Sequence, residues 1–202
     1  MLQSLKDRIG DTLVDKFQNT TVAICGLGGL GSNVAIALSR AGIGKLILVD
    51  YDKVDISNLN RQQYKLNQLG MSKTEAIKQN LQEITQITEF EIYNKKLDNT
   101  NYSDVLKNAD IICEAFDNAD EKSSLVNYVL ENMLNKYIVS ASGMANLDSP
   151  NKIITKKITD KFYVCGDFEN STDNGGTLYA PRVMLCASHQ ATTILQIIAE
   201  KI

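Results

Sequence analysis

Short apolar runs rich in Val and Ile recur along the chain, at Thr21 to Cys25, Lys45 to Asp50, Glu89 to Lys95, Ala109 to Phe116 and Tyr137 to Ser142. Between them the apolar positions change to helical spacing. That spacing predicts helices over Ser32 to Ala41, Ser72 to Ile84, Tyr102 to Lys107 and Asp120 to Asn135, and a last one from about Arg182 to Ile202. Strands alternating with helices imply an α/β architecture with a mainly parallel sheet covered on both faces, that is, three layers. Ser72 followed by Glu75 suggests a capping box, in which each side chain satisfies a free backbone donor of the first turn. Beyond Gly143 the pattern changes: KIITKKI and KFYVCGD read as extra strands joining the sheet, and FENSTDNGGTL reads as a flexible loop because it lacks anchoring hydrophobes.

The 202 residues suit one domain spanning 1–202, enough to bury roughly 70% of the unfolded surface in a single core. Hydrophobic residues at 44% and charged ones at 22% are ordinary for a soluble globular protein, and no segment approaches the roughly 20 unbroken apolar residues that span a bilayer. No membrane partner is expected. The opening MLQSLKDRIGDTLVDKF lacks the uncharged core of a signal peptide, so the expected location is cytoplasmic. A formal charge of −3, with lysines clustered only as the pairs Lys95-Lys96 and Lys156-Lys157, argues against nucleic acid as a partner. The four cysteines, Cys25, Cys113, Cys165 and Cys186, form no C-x-x-C pair, so no zinc is expected; Cys25 and Cys113 sit in apolar runs as small buried hydrophobes do.

Gly26-Leu27-Gly28-Gly29-Leu30-Gly31 follows the first strand and opens a helix, the context in which G-x-G-x-x-G brings backbone N–H groups and a helix's positive end to an anion. Such turns also serve plain strand-to-helix packing. Asp50 ends the next strand, 24 residues after Gly26 (50 − 26), near the spacing at which an acid holds ribose hydroxyls. NAD and ATP both present that sugar and stay tied at this point. Asn58 and Arg61 follow, and Lys73 comes twelve residues after Arg61, at the start of the capped helix; two cations at the carboxyl edge of the sheet suit a triphosphate. Read plainly, they are ordinary surface cations. Asp117, directly after ADIICEAF, would face those phosphates, and a Mg²⁺ between them would turn repulsion into coordination. The competing view has Asp117 and Asn118 merely capping the next helix. An NAD-linked oxidoreductase would need a proton donor beside the nicotinamide, yet Tyr102 is followed four residues on by Leu106 and Tyr128 by Asn132, not by Lys.

These residues resemble the ThiF/MoeB/HesA-like adenylyltransferases, relatives of the ubiquitin-activating enzymes. The resemblance runs through GLGGLGSNVAIALSRAGIGKLILVDYDKVDISNLNRQ, MSKTEA around Lys73 and AFDNADEK, and it spans most of the chain. SASGMANLDSPNKI and DFENSTDNGGTLYAPRV are similar to the short form of ThiF, which activates the thiamine sulfur carrier ThiS. It implies a Rossmann-like fold with a crossover loop at Phe168 to Leu178, whose Gly175-Gly176 pair frees the chain to pass over a carrier's tail. It implies ATP and Mg²⁺ as cofactors, a ubiquitin-like sulfur carrier ending in Gly-Gly as partner, and a homodimer. The implied site has Gly26, Gly28, Gly29, Gly31, Asp50, Asn58, Arg61, Lys73 and Asn118 on the nucleotide. Arg61, Lys73 and Asp117 would be catalytic, with Asp117 holding the metal. A molybdopterin-type or other small sulfur carrier is the alternative substrate, and a non-catalytic nucleotide scaffold the alternative role.

The departures from the family pattern are the missing C-x-x-C pairs and the absence of any recognisable motif around Arg8, the sole arginine ahead of the glycine loop and so the candidate to reach into a neighbouring subunit. Cys165 is the one cysteine on the loop side that could take a carrier covalently; a strand residue facing the sheet is the plainer reading. His189, within the last apolar helix, is assigned to packing or surface.

Overall fold

The structure, a computed structural model, describes residues 1–170 and 175–202. A seven-stranded sheet runs through it: β1 (Thr21–Cys25), β2 (Lys45–Asp50), β3 (Glu89–Asn94), β4 (Ile111–Glu114), β5 (Tyr137–Ala141), β6 (Ile154–Lys157) and β7 (Phe162–Gly166), in the order β3-β2-β1-β4-β5-β7-β6. Every pairing is parallel except β6 with β7, so the two added strands extend the sheet beyond β5 and only the last reverses. The helices are α1 (Leu2–Ile9), α2 (Asp11–Gln18), α3 (Gly29–Ala41), α4 (Lys73–Gln82), α5 (Tyr102–Leu106), α6 (Ala119–Asn132) and α7 (Ala180–Lys201).

Alternation along each buried strand splits the core in two, as the period of two along a strand requires. Val22, Ile24, Leu46 and Leu48 point to the face covered by α3, α4 and α7, whereas Ala23, Cys25, Ile47 and Val49 point to the face covered by α5 and α6. This is the three-layer Rossmann-like architecture. The longest helix, α7, starts with Pro181 in its first turn, where a missing N–H costs nothing, and lies on α3. The opening segment forms two helices rather than one because Gly10, at φ +85°, turns the chain between them.

Several expected boundaries move. The helix after the glycine loop begins at Gly29, not Ser32, so Gly29 and Gly31 lie inside its first turn. The strands expected to reach Lys95, Phe116 and Ser142 end at Asn94, Glu114 and Ala141, where the ladder pairing stops. The helix expected from Asp120 starts at Ala119 and stops at Asn132. Only half of the expected capping box forms among the described residues: Ser72 Oγ accepts the Glu75 N–H at 3.4 Å without a return bond from Glu75. Part of the loop expected from Phe168 to Leu178 lies outside the described residues. No helix among the described residues is long and apolar enough to cross a membrane.

Candidate active site

Strand order reverses between β1 and β4, because the chain moves outward from β1 through β2 to β3 and then returns to the other side. At such a switch point the loops leaving the carboxyl ends of neighbouring strands diverge and leave a crevice. Here they leave a cavity whose floor is the glycine loop and whose walls are the segments after β2, β4 and β5.

The glycine loop is pinned before any ligand arrives. Gly26 takes φ +94°, and a Cβ there would stand 2.7 Å from the Ala115 carbonyl oxygen, so the loops after β1 and β4 touch only because residue 26 lacks a side chain. Asp50 Oδ2 accepts the Leu27 N–H at 2.6 Å, while the Tyr64 hydroxyl donates to the Leu27 carbonyl at 2.6 Å. Gly28 and Gly29 line the cavity. Gly31 does not: its Cβ would fall 1.8 Å from the Gly26 carbonyl oxygen, so its service is close packing of α3 on the loop. Asp50 is buried at 8% exposure; burial raises its carboxyl above the ordinary range, against the pull of the Lys73 ammonium and of N–H groups from Asp52 and Leu27.

Lys73 is also buried, at 5% exposure, yet lines the cavity. Asp52 holds both ends of it, accepting its backbone N–H at 2.9 Å and its ammonium at 2.7 Å. Arg61 reaches the same wall from the turn after Asn58, its guanidinium donating to Ser57 O at 3.1 Å and Asn60 Oδ1 at 2.8 Å. Asn33 of α3 ties that turn to the glycine loop by donating to both Gly29 O and Arg61 O. Asp117 lines the cavity from the loop after β4, exposed and with no hydrogen-bond or ion-pair partner among the described residues.

Gly26, Gly28, Gly29, Asp50, Arg61, Lys73 and Asp117 thus share one cavity. Gly31, Asn58 and Asn118 do not line it. Asn58 lies outside the cavity wall because its Oδ1 accepts the Asp55 N–H at 3.1 Å and closes a short 3₁₀ turn, Ile56–Asn58. Asn118 is outside as well; its Oδ1 accepts the Asp120 and Glu121 N–H groups, each at 2.9 Å, and caps α6. The cap is therefore Asn118 alone, which leaves Asp117 free of that duty.

Cys165 is fully buried, bonded to Thr155 and Thr193; burial raises its thiol, with those hydroxyls opposing, which is unsuited to a nucleophile. His189 packs α7 against the edge strand through Thr155, at 3.0 Å. Arg8 sits on α1, which meets Gly42 and the segment before β3 at the amino end of the sheet, opposite the cavity.

Some of the cavity wall escaped the sequence reading. Lys122 and Lys95 add two more cations. Gln62 lines the cavity with its amide oxygen buried and without a hydrogen-bond partner among the described residues. Below the wall, Arg182 and Asp167 form a buried ion pair at 2.5 Å, and Arg182 also donates to the carbonyls of Asp148 and Ser149, fixing the segment after β5 against α7. A charged residue in an apolar strand was the available signal for Glu114, which proves fully buried.

A three-layer fold with a glycine-rich loop, a terminal acid on β2 and cations at the switch point defines a nucleotide-binding protein of the Rossmann-like class. The sequence matches the ThiF family over residues 2–202, and the chain belongs to that family. It is 38% identical over 143 residues to the adenylyltransferase and sulfurtransferase MOCS3 of Caenorhabditis briggsae, an alignment covering 70% of this chain and 35% of that protein. It is 40% identical over 116 residues to ubiquitin-like modifier-activating enzyme 5 of the same organism, covering 57% of this chain and 26% of the relative. The chain therefore spans about a third or less of the length of these curated relatives. Among solved structures it superposes on the E. coli tRNA N6-threonylcarbamoyladenosine dehydratase TcdA in complex with AMP, with a TM-score of 0.88 and 19% identity, covering 98% of this chain and 94% of the other. That likeness concerns the fold.

Proposed function

We propose that this protein uses ATP and Mg²⁺ to adenylylate the C-terminal Gly-Gly carboxylate of a ubiquitin-like sulfur carrier, with a ThiS-type carrier of thiazole synthesis as the first candidate. The observation that carries the reading is the convergence of Arg61, Lys73 and Asp117 on one cavity with the glycine loop. Family membership and the names of the two curated relatives support adenylyl transfer and a ubiquitin-like partner.

In this reading Asp50 accepts from the ribose while its other contacts keep the loop in place, and Gly28 and Gly29 admit the phosphates to the start of α3. A carrier carboxylate, with a pKa near roughly 3.5, is already ionised and needs no general base. Its oxygen bonds to the α-phosphorus, and the bond from that phosphorus to the bridging oxygen breaks, releasing pyrophosphate with the electron pair. Arg61 and Lys73 set positive charge against the phosphate oxygens where negative charge grows. The fit to Mg²⁺ rests on Asp117: one free carboxylate on the wall suits an ion that takes its remaining ligands from phosphate and water, and the described residues hold no cluster of three or more metal-binding side chains for an all-protein site. When bound, the ion would neutralise phosphate charge.

The deciding experiment incubates the protein with ATP, Mg²⁺ and a panel of recombinant carriers, thiamine-type and molybdopterin-type among them, and weighs each carrier. A gain of one AMP on a carrier identifies the partner. No gain on any, together with no carrier-dependent pyrophosphate exchange, overturns the proposal. A homodimer belongs to the same reading, since Arg8 can approach a cavity only on a second subunit.

The raised carboxyl of Asp50 makes a pH prediction. Ribose hydroxyls donate to the ionised form, so adenosine affinity is full at neutral pH and falls on acidification through the folded-state value, which lies above the ordinary carboxylate value of about 3.9. The fold is not lost with it at this residue, because a carboxyl raised in the folded state gains rather than loses relative stability on protonation. Titration calorimetry with adenosine, which carries no phosphate to titrate, should show the fall in the wild type at pH values above those at which the adenine ring itself takes up a proton, and a flat profile over that same range in Asp50→Asn.

A further inference from the structure

Glu114 is a carboxylate with no exposed surface, at the end of β4 and three residues before Asp117. Its Oε2 accepts the Lys122 ammonium at 2.5 Å and also the Ser140 hydroxyl from β5, while its Oε1 accepts the Phe116 N–H at 2.7 Å. Its backbone carbonyl accepts from the buried Gln190 of α7 at 2.9 Å. Burying such a carboxylate is poor value for stability, since its desolvation offsets most of the attraction to Lys122. Its placement has another consequence. Lys122 lies one turn into α6, bonded by its N–H to the Asn118 carbonyl, and Asn118 caps that helix. The three residues Ala115 to Asp117 are therefore clamped at the strand end by Glu114 and Phe116 and at the helix start by Asn118 and Lys122. Asp117 is the residue between the clamps whose own side chain remains unpartnered among the described residues.

We propose that Glu114 and Lys122 are positioning residues: their ion pair, buried at Glu114 and part-exposed at Lys122, locks the start of α6 to the end of β4 and so aims the Asp117 carboxylate at the metal and phosphates. This rests on the reading of Asp117 given above. Lys122 acts here through the loop, not as a phosphate ligand, and the two roles separate by experiment. A phosphate ligand contributes to ATP affinity with or without metal. A residue that aims the metal-holding carboxylate contributes only to the part of the affinity that Mg²⁺ adds.

The test measures ATP affinity by calorimetry in Mg²⁺ and in EDTA for the wild type, for the double variant Glu114→Gln with Lys122→Met, and for Lys122→Arg. Removing both charges avoids stranding one of them in the interior. The Mg²⁺-to-EDTA affinity ratio should fall about tenfold or more in the double variant, as losses of groups that orient metal ligands do, and stay within about threefold of wild type in Lys122→Arg. An unchanged ratio in the double variant, whether affinity is intact or falls equally in both media, overturns the proposal. Should the double variant fail to fold by circular dichroism, Glu114→Asp keeps the charge but shortens the reach to Phe116, and the same ratio decides. A wild type that binds no ATP, or gains nothing from Mg²⁺, refutes the functional reading itself instead.

Discussion

Asp117→Ala removes carrier-dependent pyrophosphate exchange, by about 10³-fold, while the protein melts as the wild type does. The size of the loss follows from taking away the carboxylate proposed to hold Mg²⁺ against the phosphates, both as ATP binds and where charge develops during transfer. The intact fold follows from Asp117 being exposed and without a partner among the described residues, so truncation removes no contact and stays within about 0.5 kcal/mol. Its neighbour should behave in the opposite way. Asn118→Ala deletes the two bonds that cap α6 and costs about 1 kcal/mol of stability, with a far smaller loss of exchange than Asp117→Ala because the Glu114–Lys122 pair still holds the start of α6. Exchange kinetics and thermal melts on both variants check the pair, and equal activity in Asp117→Ala and wild type would remove the chemical footing of the proposal.

The second large effect separates two glycines of one motif. Gly31→Ala places a methyl group 1.8 Å from the Gly26 carbonyl oxygen, a backbone atom that cannot step aside without moving α3 off the loop. A destabilisation at or beyond the usual overpacking limit of about 3 kcal/mol is expected, read as a fall in the denaturation midpoint. Gly28→Ala meets nothing nearer than 3.8 Å and keeps φ negative, so the protein should fold normally. Its methyl enters the space proposed for phosphate, and ATP affinity should drop instead. A Gly31→Ala protein with wild-type stability would show that the helix can shift freely, contrary to the packing described.

Much of this arrangement could be read along the chain because its signals are local. The Val- and Ile-rich runs mark strands buried on both faces, and glycines, Asp50, Arg61, Lys73 and Asp117 each follow an element whose end can be located by pattern. All of these except Gly31 reach the cavity because a doubly wound sheet delivers the carboxyl ends of its strands to one edge. Asn58 and Asn118 could not be sorted in that way. Asn58 closes a 3₁₀ turn and Asn118 opens α6, and only their bonds to Asp55, Asp120 and Glu121 show that backbone N–H groups already occupy them.

What the sequence determined by itself is the layer architecture, the place of the glycine loop and the family to which the chain belongs, since these depend on periodicity and on residues close together in the chain. Tertiary structure alone decided which glycine packs and which opens the cavity, that Cys165 is sealed inside, and that Glu114 pairs with Lys122 and Ser140 while Asp167 pairs with Arg182. The physical reason is that burial and ion pairing depend on what other elements bring to a side chain. The partners of Glu114 arrive from α6 and β5, and no local pattern encodes their approach.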